Sequence, residues 1–311
     1  MHIVLVDNSG PIPASSYGGT QRVVWALGKS LHALGHQVSL LGQAGSDVPW
    51  GTCYILDLGK SIASQLPPKV DVAHLHFIPT SPVDVPYVIT LHGQPGAAEV
   101  AHPNSIFISK NHAQRHGCTR YVHNGLDWDQ YPLDTQSLKS SHTRNRLHFM
   151  AKARWKVKNL KGAVKIANKA SLPLDVMGGS QYEWGIMKRN PKAILSSKVK
   201  FHGMLNDTQK MQVMKSSKAL LFPVTWHEPF GLAVIESMYA GCAAFGSTQG
   251  SLPELITPEV GAVADKPKEL AQAILDFDYS PERVHEIAKT KYSAMAMTLN
   301  YLKEYERVMK E

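Results

Sequence analysis

Short apolar runs that alternate with stretches of helical spacing, each run ending near a glycine, histidine or serine, constrain the fold of this chain more than any other feature. Residues 3–6 are β-rich, a Pro- and Ser-rich loop carries Gly18-Gly19, residues 21–34 have helical spacing that stops at Gly35, and 37–41 are again β-rich. Strand, helix, strand is a βαβ unit, and such units predict a parallel sheet with helices on both faces. The alternation continues through strands expected at 70–75, 87–91 and 105–108. In α/β sheets ligands bind at the carboxyl ends of such strands.

Residues 132–143 turn polar and lose periodicity, as a linker does. A second alternation follows, with strands expected at 147–151, 174–177, 199–201, 219–222 and 243–245, and helices at 160–170, 206–215 and 232–240. Residues 281–309 read as one long amphipathic helix. The expected organisation is an N-terminal Rossmann-like domain at 1–135, a C-terminal Rossmann-like domain at 144–285, and a C-terminal helical segment at 286–311 packing back on the first domain. Two doubly wound α/β domains would leave a cleft between two sets of strand ends, and 311 residues suffice for two cores.

Composition removes several classes. With 43% hydrophobic and 19% charged residues the chain is neither disordered nor fibrous, and its three cysteines, far apart and without Cys-x-x-Cys, suit neither a disulfide frame nor a thiolate metal site. A surplus of +8 suits an anionic partner without choosing one. The first strand-like run follows directly on Met1 without a basic leader, and no apolar stretch has the length of a membrane span, so the expected location is cytoplasmic, with peripheral contact at the inner face of a membrane left open.

Chemistry concentrates in residues 225–241. Pro229 fits a first helical turn, Gly231 lets a ligand approach the backbone, and the N–H groups of Phe230, Gly231 and Leu232 suit an anion at a helix N-terminus. Glu236 sits among apolar neighbours, where a carboxylate is costly unless something donates to it; a ribose diol would. A buried ion pair with a basic residue is the bland alternative.

Glu228 and Glu236, eight positions apart and joined through Pro-Phe-Gly-Leu, resemble the paired-glutamate signature of retaining nucleotide-sugar glycosyltransferases of family 4. The resemblance covers nearly the whole chain: Gly18-Gly19 resembles the family's glycine loop, Asp71 to His74 and Thr90 to Gly93 its strand-end motifs, Asn124 to Asp127 its Asn-Gly turn, and Gly250 to Glu254 its Gly-x-x-Pro-Glu turn. It implies a GT-B architecture and transfer of a sugar, with retained anomeric configuration, from a nucleotide-diphosphate sugar to a glycan, lipid-linked or small-molecule acceptor. Carried over, His92 lies near the anomeric centre and Glu228 against the transferred sugar as catalytic residues. Glu236 binds the donor ribose, Phe230, Gly231 and Leu232 offer backbone donors, Gly203, Met204 and Leu205 frame the base, and Gly18 and Gly19 face the diphosphate.

The family's phosphate-binding Arg and Lys fall on Arg154 and Lys158. Arg154 is one residue out of the usual spacing, which leaves Lys152 or Lys156 as the alternative to it. Fixed cations and backbone dipoles must meet the charge of the leaving diphosphate, and with them no metal or other cofactor is required. The first domain reads as compact for the family, as if a helix or loop were missing around 48–70.

Other readings fare worse. A nicotinamide dehydrogenase needs a Gly-x-Gly-x-x-Gly that the first loop lacks. Another GT-B enzyme, an epimerase or phosphorylase, would share the architecture without the glutamate pair. The basic surplus carries no nucleic-acid-reading motif, so nucleic acid is not an expected partner. Asp127-Trp-Asp129 imitates a metal-chelating Asp-x-Asp but belongs to the Asn-Gly turn, and His74 and His76, on one face of a strand, approach a zinc set with His92 but have no further ligand nearby.

Overall fold

The computed structural model describes residues 1–14, 18–94, 102–139, 144–180 and 198–311. The chain divides into two compact units, Met1–Trp128 with Lys291–Glu311, and Asp129–Thr290.

The first unit is built on β1 (His2–Val6), β2 (Gln37–Gly42), β3 (Thr52–Ile55), β4 (Val72–Leu75), β5 (Tyr87–Leu91) and β6 (Ser105–Phe107). All neighbours pair in parallel, in the order β3-β2-β1-β4-β5-β6. The second holds β7 (Arg146–Met150), β8 (Leu174–Met177), β9 (Val199–Phe201), β10 (Ser217–Phe222), β11 (Ala243–Gly246) and β12 (Gly261–Val263), parallel and ordered β12-β11-β10-β7-β8-β9. Each sheet grows outward in both directions from one central pair, β1 with β4 and β7 with β10. That reversal of winding opens a crevice for ligand at the carboxyl ends of the pair.

Central strands are buried on both faces, which is why they read as unbroken apolar runs. Val4, Val6, Leu75, Ile89 and Phe107 share one core, and Leu147, Phe149, Leu220, Phe222 and Phe245 are fully buried in the second unit. Helix α1 (Gly19–Ala33) buries Val23, Val24, Leu27 and Leu31 and ends at Gly35, whose φ of +83° suits glycine. Between β6 and the Asn-Gly turn lies the short α2 (Lys110–Arg115), capped by Ser109. In the second unit α3 (Leu160–Ala170) follows β7, α4 (Asp207–Met214) precedes β10, and α5 (Leu232–Tyr239) follows it.

Residues 48–70, where the sequence reads as lacking a helix or loop, hold β3 and a single 3₁₀ turn, Ala63–Gln65, and no α-helix. Two expectations need correction. Strands β3 and β12 lie outside the predicted set, because both are short strands at sheet edges. Residues 281–309 are two helices, α6 (Pro281–Lys291) and α7 (Ala294–Val308). The break is fastened: Leu126 donates its N–H to Tyr292 O, Ala294 donates to Leu126 O, and the Ser293 hydroxyl accepts from Ala296 N–H. Helix α7 then packs on α1 and β5. Among the described residues no helix is long and apolar enough to cross a membrane.

Candidate active site

Strands β7 and β10 release the two loops that meet at the second unit's central pair. The β7 loop passes through Lys152, Arg154 and a 3₁₀ turn, Lys156–Lys158, into α3, whose N-cap Asn159 accepts from Gly162 N–H and donates its amide to Pro223 O. The β10 loop runs from Pro223 to Gly231, and Thr225 N–H bonds Val157 O at 2.8 Å, tying the loops together.

Glu228 and Lys158 meet there. The Lys158 ammonium lies 2.6 Å from Glu228 Oε2, and Trp226 Nε1 donates to the same oxygen at 2.7 Å. Both ionic side chains are about nine-tenths buried, and the ammonium lies 5.0 and 5.1 Å from the rings of Phe222 and Trp226. Burial of a charge at this depth requires such partners. Behind Glu228 stands the Gly250 to Glu254 turn: Ser251 donates its N–H to Glu228 O and its hydroxyl to Phe230 O. Gly250, at φ +66°, lies so close that a Cβ would stand 2.3 Å from the Glu228 backbone N and O.

Helix α5 opens at Gly231, whose φ of +104° is the left-handed conformation that glycine tolerates. Phe230 is buried and Leu232 half-buried at its first turn. Further along, Glu236 is buried and already has protein partners, the Tyr131 hydroxyl at 2.8 Å and Lys210 at 3.3 and 3.4 Å; Lys210 also pairs with Asp207 at 2.6 Å. The bland reading of Glu236, a buried ion pair, is thus part of the structure, and Tyr131 and Lys210 are residues that sequence reasoning missed. The signal open to it was the capped helix bearing Lys210, in which Asn206 and Gln209 form a capping box.

The remaining second-unit candidates are more exposed. Arg154 lies on the surface of its loop while Lys158 turns inward. Gly203 follows β9 at φ +72° with open space where a Cβ would be; its carbonyl accepts from Gly178 N–H, Met204 is exposed and Leu205 half-buried.

In the first unit, Gly18 caps α1 and Gly19 begins it, and a Cβ on Gly18 would meet the Gln21 side chain at 2.4 Å. Gln21 in turn donates to Ser9 O across the loop that leaves β1. At the start of that loop Asp7 is fully buried; burial pushes its carboxyl up, against two hydrogen bonds from Ser9. His92 stands just past β5, its Nε2 2.9 Å from His76 Nδ1. Desolvation pushes His92 down to about 4, with His112 adding to the effect, and holds His76 well below the usual imidazole range.

Asp127 is occupied by Lys29 at 2.9 and 3.0 Å, and among the described residues no group of three or more His, Cys, Asp or Glu side chains is arranged to hold a metal.

Such a fold, with two parallel sheets each wound both ways from its centre and ionic side chains at a switch point, defines a two-unit α/β class of the GT-B type, and known proteins place the chain within it. A family model described as "Glycosyl transferases group 1" matches residues 132–294, just over half the chain. The protein belongs to that family. Over 86 residues it is 34% identical to a GDP-mannose-dependent alpha-(1-6)-phosphatidylinositol dimannoside mannosyltransferase of Mycobacterium tuberculosis; the matched stretch spans 27% of this chain and only 23% of that relative's length. Among solved structures it is similar to AviGT4, a glycosyltransferase involved in avilamycin A biosynthesis (TM-score 0.81, 22% identity, 99% of this chain and 98% of that one). It also resembles sucrose-phosphate synthase from Thermosynechococcus elongatus (TM-score 0.77, 16% identity, 99% of each chain).

Proposed function

We propose that this protein is a retaining glycosyltransferase that moves a glycosyl group from a nucleotide-diphosphate sugar to a glycan, lipid-linked or small-molecule acceptor. The observation that carries the reading is the Lys158–Glu228–Trp226 cluster at the β7/β10 switch point, one loop away from the glycine-opened N-terminus of α5. A buried carboxylate and a buried ammonium at that place supply charge of both signs where a sugar-diphosphate bond would break. A relative named for its dependence on GDP-mannose points to the same donor class.

In this reading Glu228 lies against the transferred sugar and stabilises positive charge as it develops. Lys158 passes from the carboxylate to the diphosphate when donor enters, joined by Arg154 and by the backbone of Phe230, Gly231 and Leu232. Glu236 exchanges its Tyr131 or Lys210 partner for the ribose diol, with Gly203, Met204 and Leu205 against the base. For the first unit the reading keeps what the family resemblance implies, Gly18 and Gly19 as diphosphate-facing and His92 as sugar-facing residues. No carboxylate here declares itself a nucleophile, so attack comes from the leaving group's own face and the departing phosphate takes the acceptor proton, without a metal. The location that fits is the cytoplasm or the inner membrane face.

The test is a panel of UDP-, GDP-, ADP- and TDP-sugars scored for thermal stabilisation and slow donor hydrolysis, with an oligonucleotide as control. One donor should stabilise the protein and be hydrolysed with release of the retained anomer. Inverted product overturns the retaining mechanism. Silence with every donor, alongside steeply salt-dependent oligonucleotide binding, overturns the enzyme reading in favour of an anion-binding protein.

A further inference from the structure

The first unit holds a ladder of neutral imidazoles that the proposed function uses only at its last rung. On one face of β4 and β5, His74, Thr90, Tyr301 and Tyr305 are all fully buried or nearly so. His74 Nδ1 lies 2.7 Å from the Tyr305 hydroxyl and Nε2 2.7 Å from Thr90 Oγ1, while Thr90 bonds the Tyr301 hydroxyl at 2.9 Å. Both ring nitrogens of His74 are therefore taken and its plane is fixed, with desolvation pushing it down to about 3. His76 stacks on that ring with centroids 4.4 Å apart, and His92 stacks on His76 at 5.1 Å.

We propose that His76 is a positioning residue that holds His92 in a single tautomer, with its proton on Nδ1. This rests on the reading of His92 as a group that meets the substrate. The 2.9 Å contact between His76 Nδ1 and His92 Nε2 needs one proton shared by two uncharged rings. Were it carried by His92 Nε2, His76 would keep its own proton on Nε2. That nitrogen is buried and has no hydrogen-bond partner among the described residues. A buried N–H without an acceptor is the costlier orphan, and a bare lone pair is tolerated better. The proton therefore sits on His76 Nδ1 and is donated to His92 Nε2. His92 is left with Nδ1–H as its available group, so it meets substrate as a hydrogen-bond donor and not as a base through Nε2.

The tautomer can be read without turnover. In the intact protein with ¹⁵N-labelled histidine, the ring-nitrogen shifts of His92, assigned by their loss in His92→Asn, should show the proton on Nδ1; a proton on Nε2 overturns the proposal. With the donor found above, His76→Ala should lower kcat by about tenfold or more with donor KM within about twofold, as loss of a group acting only through its neighbour does. His76→Asn, whose amide N–H replaces the Nδ1 donor, should recover most of that, and His76→Ala with His92→Ala should cost no more than His92→Ala alone. A His92→Ala loss beside a silent His76→Ala, or additive losses, overturns the role of His76 alone. A silent His92→Ala overturns the function proposed for His92 and the positioning role with it.

Discussion

Glu228 and Lys158 compensate one another, and that makes each a liability without the other. Removing one member of a buried ion pair leaves an unmatched charge, at about 3–5 kcal/mol, whereas replacing both with apolar groups is close to neutral. Glu228→Ala should therefore lower unfolding stability by about that amount in urea titration, and adding Lys158→Met should restore most of it. Turnover separates the structural effect from the chemical one: both variants should remain at least about a hundredfold down in kcat, since repacking does not replace positioned charge. Stability recovered together with activity would show the pair to be structural only. At this scale the two glutamates were legible because Pro229, Phe230 and Gly231 stand at fixed spacing beside them. Their partners were not: Tyr131 and Lys210 reach Glu236 from 105 and 26 residues away, a proximity only the fold creates. For the same reason the sequence left Lys158 and Arg154 side by side as cations, and only the 3₁₀ turn shows one buried and the other at the surface.

Among the elements, burial decides what a sequence shows. Strands β1, β5, β8 and β10, buried along nearly their whole length, were expected within one or two residues of their observed bounds, whereas β3, only four residues long at a sheet edge with Tyr54 and Ile55 exposed, lies outside the expected set although Cys53, Tyr54 and Ile55 are β-prone. The break between α6 and α7 is hidden for another reason, because 281–309 keep a helical period throughout and the interruption is imposed by the Asn124 to Asp127 turn. Gly125 is what lets that turn approach: a Cβ there would stand 2.2 Å from Ser293 O. Two substitutions test the junction. Ser293→Ala removes an N-cap and should cost about 1 kcal/mol in urea unfolding. Gly125→Ala should cost distinctly more, because backbone must move to admit the methyl group; equal costs would show that the turn does not impose the break. Gly250→Ala belongs to the same class at the other end of the chemistry. It should lower kcat beyond its effect on stability, since the clash falls on the backbone that carries Glu228.

For the molecule as a whole, acid is the perturbation that treats the two units differently. His92 and His112 are pushed down to about 4 and His74 to about 3, with His76 also far below its usual range, and all four lie in the first unit; in the second, His148 is pushed down to about 3 between Ser217 and Ser237. The cause in each case is chiefly desolvation, which disfavours the imidazolium. The sign follows from linkage. Folded pKa values lie below the unfolded value near 6.5, so the unfolded chain binds protons that the native one refuses; stability is complete above pH 6.5 and falls as pH drops from there toward 4 and 3. Each such histidine contributes a slope of up to about 1.4 kcal/mol per pH unit. Asp7, whose carboxyl is raised by burial, acts in the opposite sense and gives back part of the loss as it protonates. Four histidines outweigh one aspartate, so between pH 6.5 and 4.5 the first unit should weaken faster than the second. Hydrogen exchange followed across that range should show amides of β4 and β5 losing protection before those of β7 and β10. Earlier loss in β7 and β10, or protection unchanged down to pH 5, would mean that the imidazole ladder takes up protons within the folded state, and that His76 and His92 are not the neutral pair that their desolvation favours.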